Sequence, residues 1–171
     1  SGVAAIHECQ RQGCMPTVTR LNDPKKTALS FAFKQPKTGL KEIVAKALKW
    51  YIGSVKGIDF GRCCLMVVKY EGDRAAFRNM RRGVSAIYRK HRGVCLGPEP
   101  GRSFAEAKFD FPHLRDYVMD RNIMADVSET ATTWTNLLPL YEDSLADIDR
   151  AICNTGVASW VGCHVSHSYP T

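Results

Sequence analysis

The longest unbroken apolar run in the sequence is six residues, Cys63 to Val68. A membrane-spanning helix needs about 18 to 20, so this run argues against a spanning protein and reads instead as a buried strand. The remaining apolar residues are dispersed at helix or strand spacing, so they must be buried by packing amphipathic elements in layers. At 171 residues the chain fits roughly one domain. That is long enough to bury a core without disulfide staples. An apolar share of 44% with 24% charged residues argues against disorder.

The periodicities define an alternating order. Val3 to Gln12 reads as a helix stopped by Gly13. Pro16 to Leu21 reads as a short strand, with a turn at Asn22-Asp23-Pro24, and Lys25 to Lys34 is ambiguous. Leu40, Ile43, Val44, Ala47, Leu48, Tyr51, Ile52 and Val55 keep helical spacing without a break. Cys63 to Tyr70 is a strand, and Asp73 is a good N-cap for a helix that stops at Gly93. Val94 to Leu96 reads as a short strand, Gly97 to Gly101 as loop, and Phe104 to Lys108 as a turn of helix. Pro112 opens a helix to Arg121. Ile123 to Ala131 reads as a strand, Asn136 to Cys153 as a helix and Ser159 to Tyr169 as the last strand. The order admits a parallel sheet, but a split β-α-β arrangement fits better, with an antiparallel sheet covered by helices on one side. The expected class is α+β.

The net charge is +7. Seven basic residues and one acid lie between Asp73 and Arg92, so one helix carries +6 of it. Its arginines form a stripe beside Phe77, Met80, Val84, Ile87 and Tyr88. Such a stripe is either a solvated face or a surface for another domain or an anionic membrane. The seven cysteines have an odd count, irregular spacing and no C-x-x-C pair. With no secretory signal at the start, they read as free thiols in a reducing compartment. Ser1-Gly2 resembles a tag remnant. The last residues combine strand character with reactive side chains, as expected of a piece of a longer protein.

Neither G-x-G-x-x-G nor G-x-x-x-x-G-K-[ST] occurs, and no serine nucleophile elbow is present. The tail, Cys163-His164-Val165-Ser166-His167-Ser168-Tyr169, is the most unusual segment. Strand alternation puts Cys163, Val165, His167 and Tyr169 on one face and His164, Ser166 and Ser168 on the other. A histidine two positions from a tyrosine suits proton transfer; a solvent-facing polar strand is the bland alternative. A metal site from Cys163, His164 and His167 is opposed by the alternation. Arg115 can clamp a phosphate or carboxylate, or pair with Asp116 or Asp120, and Arg20 is similarly ambiguous. Glu129, Thr130, Thr132, Thr133 and Trp134 line a pocket or cap the next helix. His7, His91 and His113 are isolated and read as structural.

Five segments in register carry a resemblance. They are Thr19-Arg20-Leu21-Asn22-Asp23, Tyr70-Glu71-Gly72-Asp73-Arg74, His113-Leu114-Arg115-Asp116-Tyr117, Glu129-Thr130-Ala131-Thr132-Thr133-Trp134 and Cys163 to Tyr169. Together they resemble the alkyldihydroxyacetonephosphate synthases (alkylglycerone-phosphate synthases), within the vanillyl-alcohol oxidase superfamily of flavoproteins. The resemblance runs across nearly the whole chain. It implies a cap, or substrate-binding, domain over residues 1–171. This is a ferredoxin-like antiparallel sheet with helices, packed over an FAD domain that the chain does not include. A histidine-rich segment that follows in the family is also outside it, so this piece alone is expected to be inactive.

The family's reaction exchanges the acyl group of acyl-dihydroxyacetone phosphate for a long-chain fatty alcohol. FAD is used without net redox change. By resemblance Tyr169 removes a substrate proton, Arg115 meets the phosphate or carboxylate, and Arg20, a substrate-binding residue, matches an arginine whose loss impairs the enzyme. His164 and His167 tune Tyr169, and Glu129, Thr132 and Trp134 lie near the flavin ring. The resemblance further implies a homodimer in a peroxisome or glycosome. The basic helix would face the membrane, and helices 40–55 and 136–153 would line an apolar tunnel. Two other readings are a cap of an FAD-linked oxidase or 2-hydroxyacid dehydrogenase, and a noncatalytic ferredoxin-like nucleic-acid-binding domain. The second is disfavoured because the interleaved aromatics of strand-based RNA readers are missing.

Overall fold

The computed structural model describes residues 1–32, 39–107 and 111–169. Helix α1 (Gly2–Arg11) is followed by strand β1 (Val18–Asn22), α2 (Pro24–Ala32) and α3 (Leu40–Trp50). A π-helical turn, Tyr51–Val55, prolongs α3. Then come β2 (Met66–Lys69), α4 (Arg74–Lys90), α5 (Glu99–Ala107), α6 (Phe111–Met119), α7 (Leu137–Cys153) and β3 (His164–Val165). The sheet is antiparallel, in the order β2-β1-β3. The expected class, α+β with an antiparallel sheet and flanking helices, is the one observed.

β1 is the centre of the fold. Arg20 stands opposite Val67 and Leu21 opposite Met66 on one side. On the other, Leu21 stands opposite Val165 and Asn22 opposite His164. Side chains alternate along a strand, and directly opposed residues share a face. Leu21 therefore looks toward α1, where a Cβ on Gly2 would meet its Cδ1 at 2.6 Å. A larger residue there would have to displace the Leu21 methyl groups. Ser1 accepts a hydrogen bond from the Ala4 amide at 3.3 Å and caps α1. The two residues read as a tag remnant thus take part in the fold.

The core sits between α1 and α4. Cys9, Val84 and Ile87 are buried together, with Met15, Tyr70, Met80 and Tyr88 packed around them. Asp73 caps α4 by accepting from the amides of Ala75 and Ala76, both at 2.8 Å. The positive charge is on the outer side of α4. Arg78, Arg81, Arg82 and Arg89 line an open hollow of about 270 Å³ with Phe77 and Ser85. Behind it, Glu8 of α1 ties down the end of α4 through Lys90 at 2.7 Å and His91 at 2.6 Å.

Several expected elements differ. No strand forms at 94–96 or 123–131. A strand needs a neighbouring edge, and the described residues offer none there; Met124 and Val127 are 87% and 75% exposed. The last strand is two residues rather than the eleven from Ser159 to Tyr169, because it finds β1 only at Leu21 and Asn22. The expected loop 97–101 is interrupted by α5, which begins at Glu99. Pro100 falls in its first turn, where a missing N–H costs nothing. The helices are not confined to one side either. Leu21 meets α1, while Phe104 of α5 lies under Arg20 on the opposite face. The ambiguous stretch forms α2 up to Ala32, and its remainder lies outside the described residues. Lys108, in the expected helical turn, also lies outside them.

Candidate functional site on the Arg20 face of the sheet

On the face opposite α1, Arg20 is half-buried, with its guanidinium carbon 5.3 Å from the centroid of the Phe104 ring. Burial pulls its pKa down. His164 enters the same face from β3, directly across from Asn22. From the first turn of α2, Lys26 brings Nζ to 2.9 Å from His164 Nδ1. Burial, then the nearby Arg20 and Lys26 charges, lower the His164 pKa to about 4. The imidazole is therefore neutral near pH 7, and Lys26 donates to it. Burial also lowers the Lys26 pKa, with Arg20 adding to the effect.

A buried carboxylate braces this cluster. Asp23 accepts from the Lys26 amide at 2.6 Å, and so caps α2. Its other oxygen accepts from the Cys163 amide at 2.8 Å and the Tyr141 hydroxyl at 3.4 Å. Burial, then the Asp23 charge, push the Tyr141 phenol up to about 12, so Tyr141 remains a donor. Asp23 thereby fastens β1, α7 and the start of β3. Its hydrogen bonds go to this bracing, while its charge favours the protonated form of Lys26.

The other expected site residues lie elsewhere. Tyr169 is 71% exposed. With His167 and Ser166 it lines a hollow of about 230 Å³, walled on the other side by Met15 to Thr19. His167 Nδ1 is 2.8 Å from Ser166 Oγ. The alternation read along the tail holds for His164 and Val165, but β3 ends there and the ladder does not orient His167 and Tyr169. Arg115 is exposed on α6, 3.4 Å from its neighbour Asp116, an ion pair of little energetic weight. Glu129 and Thr132 are exposed in the irregular segment before α7. Trp134 stacks on His7 of α1, centroids 4.7 Å apart. Arg20 and His164 are thus neighbours, His167 and Tyr169 share a hollow, and Arg20 and Arg115 line neither of the two hollows described.

Among the described residues no three His, Cys, Asp or Glu side chains are grouped to hold a metal. Both hollows fall below the roughly 300–1,000 Å³ of a pocket that encloses a cofactor-sized ligand. The exposed Tyr169, Glu129 and Thr132 fit one-sided contact with a flavin and not its enclosure. Sequence reasoning missed Lys26, Asp23 and Tyr141. Only Asp23 left a signal, as an Asp-Pro step that opens a helix.

The whole chain, residues 1–171, matches the family model described as FAD linked oxidases, C-terminal domain. An alkyldihydroxyacetonephosphate synthase from Dictyostelium discoideum is 32% identical over 167 residues, 98% of this chain and 27% of that protein. One from Trypanosoma brucei brucei is 33% identical over 165 residues, 96% of this chain and 27% of that protein. A solved structure of an alkyldihydroxyacetonephosphate synthase superposes with a TM-score of 0.78 at 31% identity, over 98% of this chain and 30% of that one. The chain thus spans about 27% of the length of these curated relatives. It is homologous to alkyldihydroxyacetonephosphate synthases over nearly all its residues, and it belongs to the family of FAD-linked oxidase C-terminal domains.

Proposed function

We propose that this chain is the substrate-binding cap of an enzyme that exchanges the acyl group of acyl-dihydroxyacetone phosphate for a long-chain fatty alcohol. The products are alkyl-dihydroxyacetone phosphate and a fatty acid. The observation that carries the reading is the half-buried cationic face around Arg20, in a chain homologous throughout to the synthases. A phosphorylated headgroup is the ligand chemistry that such a face takes. FAD, held mainly by a part of the protein outside these residues, supplies the reactive ring nitrogen and is used without net redox.

In this reading Arg20 and Arg115 bind the anionic parts of the substrate, and Tyr169 removes a proton from it. His164 and His167 adjust the electrostatics around that proton. Glu129, Thr132 and Trp134 approach the flavin. The exposed phenol and the exposed Arg115 support contact with a surface that another part of the protein supplies. The full protein works as a homodimer in a peroxisome or glycosome, with the α4 arginines against the membrane that holds its lipid substrates.

The test is full-length protein with palmitoyl-dihydroxyacetone phosphate and hexadecanol, beside Tyr169→Phe. The wild type should form the ether product, and the variant should lose about a hundredfold or more in kcat. Equal rates would remove Tyr169 as the base. Lasting flavin bleaching by a 2-hydroxyacid, with no ether formed, would replace the whole reading with an oxidase.

A further inference from the structure

The half-buried cluster around Lys26 holds two cations, Lys26 and Arg20, and one carboxylate, Asp23, that bonds to neither side chain among the described residues. Lys26 and Arg20 have no carboxylate oxygen within 4 Å among the described residues. Asp23 acts on Lys26 through its charge, but it gives its hydrogen bonds to two backbone amides and a phenol. The only side chain that Lys26 Nζ meets among the described residues is His164. That pairing is a poor structural device. Removing an ammonium from water is costly, and a neutral imidazole returns one hydrogen bond without a countercharge. A second group is also left open. Asn22 is buried beside His164 in the ladder, and its Oδ1 has no donor. Its Nδ2 is used on Ser30 Oγ at 3.4 Å. Two cations with one carboxylate that bonds to neither, beside an orphaned acceptor, describe a site for an anion with a hydroxyl near it.

We infer that Lys26 is a phosphate-binding residue, pairing with Arg20 to take a phosphomonoester, with His164 as the positioning residue that holds its ammonium in place. This rests on the reading of the chain as the cap of an enzyme with a phosphorylated substrate. It adds the second cation of that site, which makes a doubly charged phosphate a better ligand than a singly charged carboxylate. His164 accepts from Lys26 through Nδ1 and so aims the ammonium without adding charge. Asn22 Oδ1 accepts from a hydroxyl beside the bound phosphate.

The experiment uses the full-length flavin-loaded protein. Calorimetry measures binding of glycerol 3-phosphate, inorganic phosphate and glycolate to wild type, Lys26→Met, Lys26→Arg and His164→Gln. Steady-state assays with palmitoyl-dihydroxyacetone phosphate give KM and kcat for the same set. Lys26→Met should weaken glycerol 3-phosphate about 10- to 100-fold, the span of one hydrogen bond to a charged group. It should raise KM by a similar factor with a smaller change in kcat. Glycolate should change less, Lys26→Arg should recover part of the loss, and His164→Gln should give an intermediate effect.

Inorganic phosphate binding as tightly as glycerol 3-phosphate, in a Lys26-dependent way, would assign the site to free phosphate and overturn the substrate role. Unchanged glycerol 3-phosphate binding and KM in Lys26→Met, with an unaltered melting temperature, would overturn the proposal while the synthase reading stands. Lys26-dependent binding of glycerol 3-phosphate with no ether synthesis in the wild type would sink the synthase reading and leave the phosphate site. If Lys26→Met melts early, Lys26→Arg and His164→Gln decide the same question.

Discussion

His164 is held neutral by burial and by two cationic neighbours, so protonating it costs the fold. Its folded pKa, about 4, lies below the ordinary 6.5. Between those values the unfolded chain binds a proton that the folded chain does not. Stability therefore rises with pH across this window. The contribution is complete above about 6.5 and is lost as pH falls toward 4. Urea midpoints of the full-length protein should fall more steeply from pH 6.5 to 4.5 in wild type than in His164→Asn. Parallel profiles would mean that His164 titrates normally. The thiols follow the same physics with the opposite effect on charge. All seven cysteines are free, and burial pushes the Cys9 thiol up to about 12. Cys9 is thus a core filler and not a nucleophile.

Helix α4 was the most legible element, because three local signals agree on it. Asp73 caps it, the apolar residues keep a 3.6 spacing, and the basic residues fill the remaining face. None of these depends on a partner elsewhere in the chain. The strands were least legible for the converse reason: a strand exists where an edge receives it, and local composition at 123–131 carries no record of that. Helix α5 was hidden by two prolines and two glycines that read as loop when their order within a first turn is ignored. In the site, Arg20 and His164 stood out by their local chemistry and took their roles from the resemblance. Lys26 did not, because it meets His164 across 138 residues of sequence. The outward arginines of α4 have no carboxylate partner within 4 Å among the described residues. Replacing Arg78, Arg81 and Arg82 together by Glu in the full-length protein should weaken binding to phosphatidylserine-containing vesicles tenfold or more. Core packing should be unaffected, since Val84 and Ile87 lie on the opposite side of the helix. Sedimentation with neutral vesicles provides the baseline, and unchanged binding would end the membrane role of this helix.

The chain exposes 13,008 Å² of surface. A compact monomer of 19.1 kDa exposes about 8,400 Å². Large apolar side chains contribute to the excess: Met124 and Val127 before α7, Leu138 and Ile148 on α7, and Trp50 and Val55 at the end of α3. Surface of this kind is normally covered, and the chain is about 27% of the length of its curated relatives. Residues 1–171 produced alone should therefore bind a hydrophobic dye such as ANS more strongly, per mole, than the full-length protein. They should also self-associate at lower concentration on a sizing column. Equal dye binding would mean that these faces are open in the whole protein too. The sheet carries a consequence for how such a protein is made. β1 is placed early in the sequence, yet its outer neighbour and the Cys163 amide that Asp23 accepts from come 140 residues later. At about 5–20 residues per second, a ribosome needs on the order of ten seconds to bridge that interval. Throughout it the central strand has at least one bare edge, and chaperones have that long to shield it.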